Sequence, residues 1–193
     1  MPLPTPVPRE PVHTRSITCT GYLREDGLWD IEGQLVDHKH YSFDSEVRGH
    51  MEAGAPVHDM WIRMTVDEQF VVREVEAVTD AGPYSSCPEV TPNFARLAGL
   101  NIGHGWRRKV RQFMGGINGC THLVDLLDPM ATTAFQSIAG YQSKRGREAQ
   151  ESTASDSELR RHLINSCYAW SDQGEVVRRW APEFYMGIPG KSG

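Results

Sequence analysis

The stretch GGINGCTHLVDLL, residues 115 to 127, sets a thiol, a hydroxyl and an imidazole side by side where a helix begins. Glycines lead into Cys120, Thr121 and His122, and an apolar run of Leu123, Leu126 and Leu127 follows. A helix N-terminus leaves backbone N–H groups unpaired and carries partial positive charge, so it stabilises anions and developing oxyanions. Thr121 is the expected N-cap, His122 falls in the first turn, and Asp125 is placed to orient its ring. The same residues also fit a capped helix without chemistry. The lysine of a phosphate-binding loop is missing.

A second candidate is PVHDMWIR. Read as a strand, it puts His58, Met60, Ile62 and Met64 on one face and Asp59, Trp61 and Arg63 on the other. A neutral imidazole at the rim of an apolar wall suits a general base, and it also suits a packed core histidine. In a regular strand Asp59 points away from His58, so the two form no local dyad without a bulge.

The run LWDIEGQLVDHKHY supplies the third set. Trp29, Ile31 and Leu35 share a face, and a period of two carries that face on to Asp37 and Lys39. Buried carboxylates and ammonium groups need partners, so these two are a functional pair or lie beyond the sheet in water. Glu32 falls on the opposite face as a solvated residue, relevant only if a helix covers it. His38 and His40 have the spacing of two metal ligands, but no third ligand is evident and no metal or other cofactor is expected. The basic run WRRKVR reads as a solvated helix face, and GHGW is not a dinucleotide fingerprint.

These residues need elements to hold them. RSITCTGYL, an Asp-Gly turn and LWDIEGQLVDHKHY form a hairpin, and VHDMWIRMTVD and QFVVREVEAVTD add two strands. Residues 15 to 80 thus make an antiparallel four-stranded meander, interrupted by a loop over 44 to 56. Short helices follow at NFARLAGL and GWRRKVRQFMGG, and a long one runs from Thr121 to about Tyr141, with Pro129 kinking or splitting it. SKRGREAQESTASDS reads as a polar loop, ELRRHLINSCYAW as a last helix and GEVVRRW as a short strand. Strands first and helices later give an α+β class, the meander packing against the long helix. A proline-rich arm over 1 to 13, one domain over 14 to 185 and a flexible tail over 186 to 193 complete the organisation.

The chain has 193 residues and a net charge of -5, which argues against a nucleic-acid partner. No apolar run is long enough for a membrane span, and the proline-rich start lacks the apolar region of a signal peptide, so a cytoplasmic location is expected. Cys19, Cys87, Cys120 and Cys167 are scattered and suggest neither zinc nor a disulfide framework. Exposed sheet edges make a homodimer an expectation.

The segments DGLWDIEGQLVDHKHY, APVHDMWIRMTVD, GLNIGHGW and GCTHLVDLL, in this order, resemble the bacterial domain-of-unknown-function family DUF2889 over residues 14 to 185. The resemblance points to Arg24, Asp26, Trp29, Glu32, Asp37, Lys39, His58, Asp59, Arg63, Cys120, Thr121 and His122 as motif positions, and not to His38 or His40. It implies a setting among catabolic enzymes for aromatic and acyl compounds. Where the family pattern has a histidine after Cys167, this chain has Tyr168, which receives no role.

The resulting expectation is a cofactor-independent lyase acting on a small aromatic molecule by acid–base catalysis, for instance with retro-aldol loss of formaldehyde. His58, His122, Lys39, Asp59 and Glu32 are the catalytic candidates. Arg24, Trp29, Asp37, Arg63, Cys120 and Thr121 are the substrate-binding ones, with Lys39 or Arg63 holding a carboxylate or oxyanion. The alternatives are a hydrolase or transferase with Cys120 as nucleophile, and a non-catalytic binding module for an acidic metabolite.

Overall fold

A computed structural model describes residues 3–148 and 160–187. Its sheet is the expected meander: β1 (His13–Leu23), β2 (Trp29–Lys39), β5 (Pro56–Val66) and β6 (Val72–Ala81) pair antiparallel in the order β1-β2-β5-β6. Within the segment read as a loop, β3 (Phe43–Ser45) and β4 (Gly49–Met51) form a small separate hairpin. The Asp-Gly turn is wider than a two-residue turn. Leu23 pairs with Trp29, and Gly27 takes a φ of 83°, a left-handed conformation that glycine adopts at little cost.

Alternation sorts the side chains of the sheet. Ile31 and Leu35 of β2 and Met60, Ile62 and Met64 of β5 are buried on the inner face, with Trp29 beside them. The helix α2 (Thr121–Glu148) lies over this face. Its Leu123, Leu126, Leu127, Met130 and Ala134 are fully buried. Two glycines let it approach closely: a Cβ at Gly33 would stand 2.7 Å from Met130 Sδ, and one at Gly21 would stand 2.1 Å from Ser137 Oγ. Gly33 lies nearer the Asp37 end of the sheet and Gly21 nearer the Trp29 end. The helix therefore runs along the strands, with its N-terminus at the Asp37 end.

Pro129 does not split α2. The apolar stripe continues on both sides of it and keeps both halves seated, while Thr133 Oγ1 donates to the Pro129 carbonyl at 2.9 Å. The helix also passes Tyr141 and includes 143–148, the start of the segment read as a polar loop; the rest of that segment lies outside the described residues. A 3-10 helix at Cys87–Leu97 buries Phe94 and Leu97, and α1 (Trp106–Met114) buries Trp106, Val110 and Met114.

The chain divides into two compact units, Met1–Ser137 and Ile138–Gly193. In the second, residues 160–163 are helical, a 3-10 turn spans Tyr168–Trp170, and GEVVRRW is helical rather than extended, forming α3 (Glu175–Trp180). Glu175 explains the difference: it sits in the first turn and pairs with Arg178 three residues on, a helical spacing. Of the tail read over 186–193, residues 188–193 lie outside the described residues.

Candidate acid–base site

The register of the sheet places Arg15 opposite Asp37 and Asp37 opposite His58, one inward residue on each of three neighbouring strands. A bulge follows at Asp37/His38. Asp37, only 1% exposed, is the centre of the cluster. Arg15 grips it with two parallel bonds, Nε to Oδ1 and Nη2 to Oδ2, both 2.8 Å. His13 Nε2 lies 3.2 Å from Oδ1, and His58 Nδ1 lies 3.0 Å from Oδ2. Four donors thus fill the roughly four lone-pair positions of the carboxylate. Burial alone would raise the Asp37 carboxyl, but the Arg15 bonds and charge outweigh it and hold the group at about 2.

An ionised Asp37 fixes the His58 tautomer. Nδ1 must carry the proton that faces Oδ2, and Nε2 keeps its lone pair. The N-terminus of α2 then brings in the second imidazole: the His122 ring stacks on His58 with centroids 3.7 Å apart and 28° between planes. Burial lowers the pKa of both rings. The neighbouring His122 lowers His58 further, although Asp37 opposes the shift, and Arg15 lowers His122. Both imidazoles are therefore held neutral near pH 7, ready to accept a proton.

The helix starts at Thr121 as expected, but its cap differs. Cys120, not Thr121, is the N-cap, because its carbonyl accepts the first helical bond from Val124 N at 2.9 Å. Standing outside the helix, Cys120 escapes the geometry that keeps residues two apart from facing each other. Its Sγ lies 3.8 Å from His122 Nδ1 and 4.0 Å from Met60 Sδ. Thr121 is exposed in the first turn. Asp125 does not orient His122; its Oδ2 accepts from Arg15 Nη1 at 2.9 Å and so braces the residue that grips Asp37.

The remaining candidates lie apart from this cluster. Lys39 Nζ sits over the Phe43 ring, 3.8 Å from its centroid. Asp59 is on the outer face, accepting from Gln34 Nε2 at 2.9 Å. Glu32 and Arg63 are also outside, joined at 2.8 Å, with Arg63 bonded to Glu76 at 3.1 Å. Arg24 pairs with Asp26 and Asp30 beside the first turn. Trp29 is buried at that end, eight residues along β2 from Asp37, about 26 Å at the strand rise. His40 Nε2 bonds Thr14 Oγ1 at 2.8 Å. Among the described residues, the metal-ligand types that do converge are Asp37, His58 and His122, whose donor atoms lie within 4.8 Å of one another.

Sequence reasoning missed His13 and Arg15. The signal was present: both fall on the inward period of β1, and Arg15 pairs with an inward carboxylate. Two concavities border the sheet and helices. One of about 490 Å³ lies against Glu32, Trp61, Arg63, Glu76, Val78 and Asp80 and holds neither imidazole. A smaller one of about 150 Å³ between α1 and α2 is lined by Arg107, Arg111 and Val124 and reaches the cluster through Asp125.

The sequence model of a family described as a protein of unknown function, DUF2889, matches residues 13–136. The chain belongs to that family. The match opens on His13 and closes one residue before the end of the first compact unit, so it contains the whole cluster and stops well short of 185. No curated protein and no solved structure matches the chain. No helix of the described residues is long and apolar enough to cross a membrane.

Proposed function

We propose that this DUF2889 member is an acid–base enzyme, a lyase acting on a small aromatic molecule, with His58 as the base. The observation that carries this reading is the contact of His58 Nδ1 with the buried Asp37 at 3.0 Å, with His122 stacked against the same ring. A carboxylate on Nδ1 raises the basicity of Nε2 and stabilises the imidazolium that forms, which is the part an acid–base dyad needs.

The chemistry suited to these parts is carbon–carbon cleavage of a hydroxymethyl group beside an electron-accepting centre. His58 Nε2 removes the hydroxyl proton, the C–C bond breaks, formaldehyde leaves, and the electron pair stays on the substrate carbon. The same proton, returned from His58 directly or through His122, completes the product, so atoms and charge balance. The unpaired N–H groups in the first turn of α2 stabilise the developing negative charge.

The test is a screen of aromatic compounds with such side chains, read by release of formaldehyde. On a substrate so found, His58→Ala is expected to lower kcat by about 100-fold or more, and His122→Ala by a smaller factor. Wild-type rates in both variants would refute the reading. The contact of Cys120 Sγ with His122 Nδ1 at 3.8 Å favours one rival, a thiol nucleophile activated by His122. Stoichiometric alkylation of Cys120 that abolishes turnover, together with loss of activity in Cys120→Ser, would favour that rival.

A further inference from the structure

The site holds more than a base. Asp37, His58 and His122 bring a carboxylate and two imidazoles together, their donor atoms within 4.8 Å of one another. Carboxylate and imidazole are ligand types that divalent transition ions take, with bonds of about 2.0–2.2 Å to zinc. Two such ligands on one tetrahedral ion stand about 3.4 Å apart, and Asp37 Oδ2 and His58 Nδ1 are 3.0 Å apart, so admitting an ion parts them only slightly. His122 supplies the third donor, within 4.8 Å of the other two.

The surroundings are already arranged as supports for such ligands. Arg15 and His13 occupy three of the four acceptor positions on Asp37 and fix its orientation, leaving the fourth to the His58 partner. Hydrogen-bonded partners of this kind are what orient ligating carboxylates in metal sites. The charge balance also favours a cation: Arg15 faces both Asp37 and Asp125, so one positive charge meets two negative ones while the imidazoles are neutral. Cys120 Sγ adds a soft donor beside His122.

We propose that Asp37, His58 and His122 form a site for one divalent transition ion of the zinc type, the ion replacing the proton shared by Asp37 and His58. The inference deepens the acid–base reading and rests on the same residues. Metal-bound and acid–base forms exclude each other, because an ion on His58 Nδ1 moves the ring proton to Nε2, the atom that would accept the substrate proton. Bound zinc is then an inhibitor of the enzyme.

The experiment uses the whole chain after treatment with a chelator. Zinc chloride is titrated in by calorimetry, and cobalt(II) chloride by visible absorption. One ion per chain is expected, with cobalt giving a ligand-field band. Affinity should fall by about 100-fold or more in His122→Ala and in the less disruptive His122→Gln, and stay unchanged in His38→Ala. Circular dichroism and the melting temperature confirm that each variant is folded. Absence of saturable binding to the wild type, or binding indifferent to both His122 variants, would overturn the metal site. The two readings fail separately. Turnover by chelated protein without zinc binding leaves the acid–base reading standing alone. Zinc binding that is required for turnover overturns His58 as the base and the inhibitory role of the ion, but keeps the site.

Discussion

Two rows of charge cross the sheet, one on each face. On the inner face Arg15, Asp37 and His58 occupy one rung of β1, β2 and β5. On the outer face Glu32, Arg63 and Glu76 occupy one rung of β2, β5 and β6. Each row has an arginine with a carboxylate at hydrogen-bond distance, so the presence of an ion pair does not separate them. Burial does: the Asp37 side chain is 2% exposed, whereas Arg63 is 50% and Glu76 59%. In water such pairs are screened and worth little, while in a buried place every unpaired charge is costly and every bond is strengthened. The inner row can hold protonation states that solvent would not leave in place, and the outer row cannot.

The largest test of this contrast removes the centre of the inner row. Asp37→Ala should destabilise the chain by about 2–3 kcal/mol in urea unfolding at pH 7. It leaves His58 without its partner and Arg15 with only Asp125. The figure stays below that for a fully buried pair because the Arg15 side chain is 35% exposed and can rehydrate. A loss under about 1 kcal/mol would mean that the inner row is no more structural than the outer one.

Acid should find the same row. The folded-state pKa of Asp37 lies below its ordinary value, so the unfolded chain binds more protons and stability falls as pH drops. For Asp37 the loss runs from its ordinary 3.8 down to about 2, and amounts to about 2 kcal/mol. His58 and His122, also depressed, give the same sign at higher pH, with loss beginning as pH falls through their ordinary value of 6.5. Unfolding measured from pH 8 to pH 2 should therefore show two declining stages, and Asp37→Asn should abolish the lower one. A flat profile between pH 4 and pH 2 would contradict the grip of Arg15 on Asp37.

Much of this was legible in the sequence, for a physical reason. A period of two is set by strand geometry, so it placed His58 and Asp37 inward and Asp59, Glu32 and Arg63 outward without any knowledge of the fold. The hydrophobic stripe of α2 announced the covering helix, and the glycines before it announced its start. Pairing was not legible. Which inward residues meet depends on register, and here a loop wider than a two-residue turn sets the β1–β2 register. Asp37 was thus given Lys39 as a companion on its own strand instead of Arg15 and His58 across the sheet. Lys39 follows the bulge at Asp37/His38, where simple alternation fails. Nor could spacing show that Cys120 lies just outside the helix, which is what lets its sulfur reach His122.

The covering helix is what makes the two faces different, and its seat can be disturbed without touching charge. Gly33→Ala puts a methyl group 2.7 Å from Met130 Sδ. Met130 is flexible, so the expected cost is about 1–2 kcal/mol, and the losses of Gly33→Ala and Met130→Ala should be less than additive when combined. Because α2 carries His122, the same change should also weaken its stacking on His58 and lower turnover. Full stability in Gly33→Ala would mean that the helix is not held where it presses on β2.

The smallest expected effect is the most useful control. Arg63→Ala removes the centre of the outer row as Asp37→Ala removes that of the inner one. Glu32 and Glu76 both reach solvent, so losing their shared cation should cost no more than about 1 kcal/mol, less still in high salt. Activity on any substrate that depends on His58 should be unchanged. A large loss of activity with stability intact would reverse the contrast. It would make the concavity beside Trp61 and Arg63 the place where substrate binds, and leave the inner row as a buried support for the sheet.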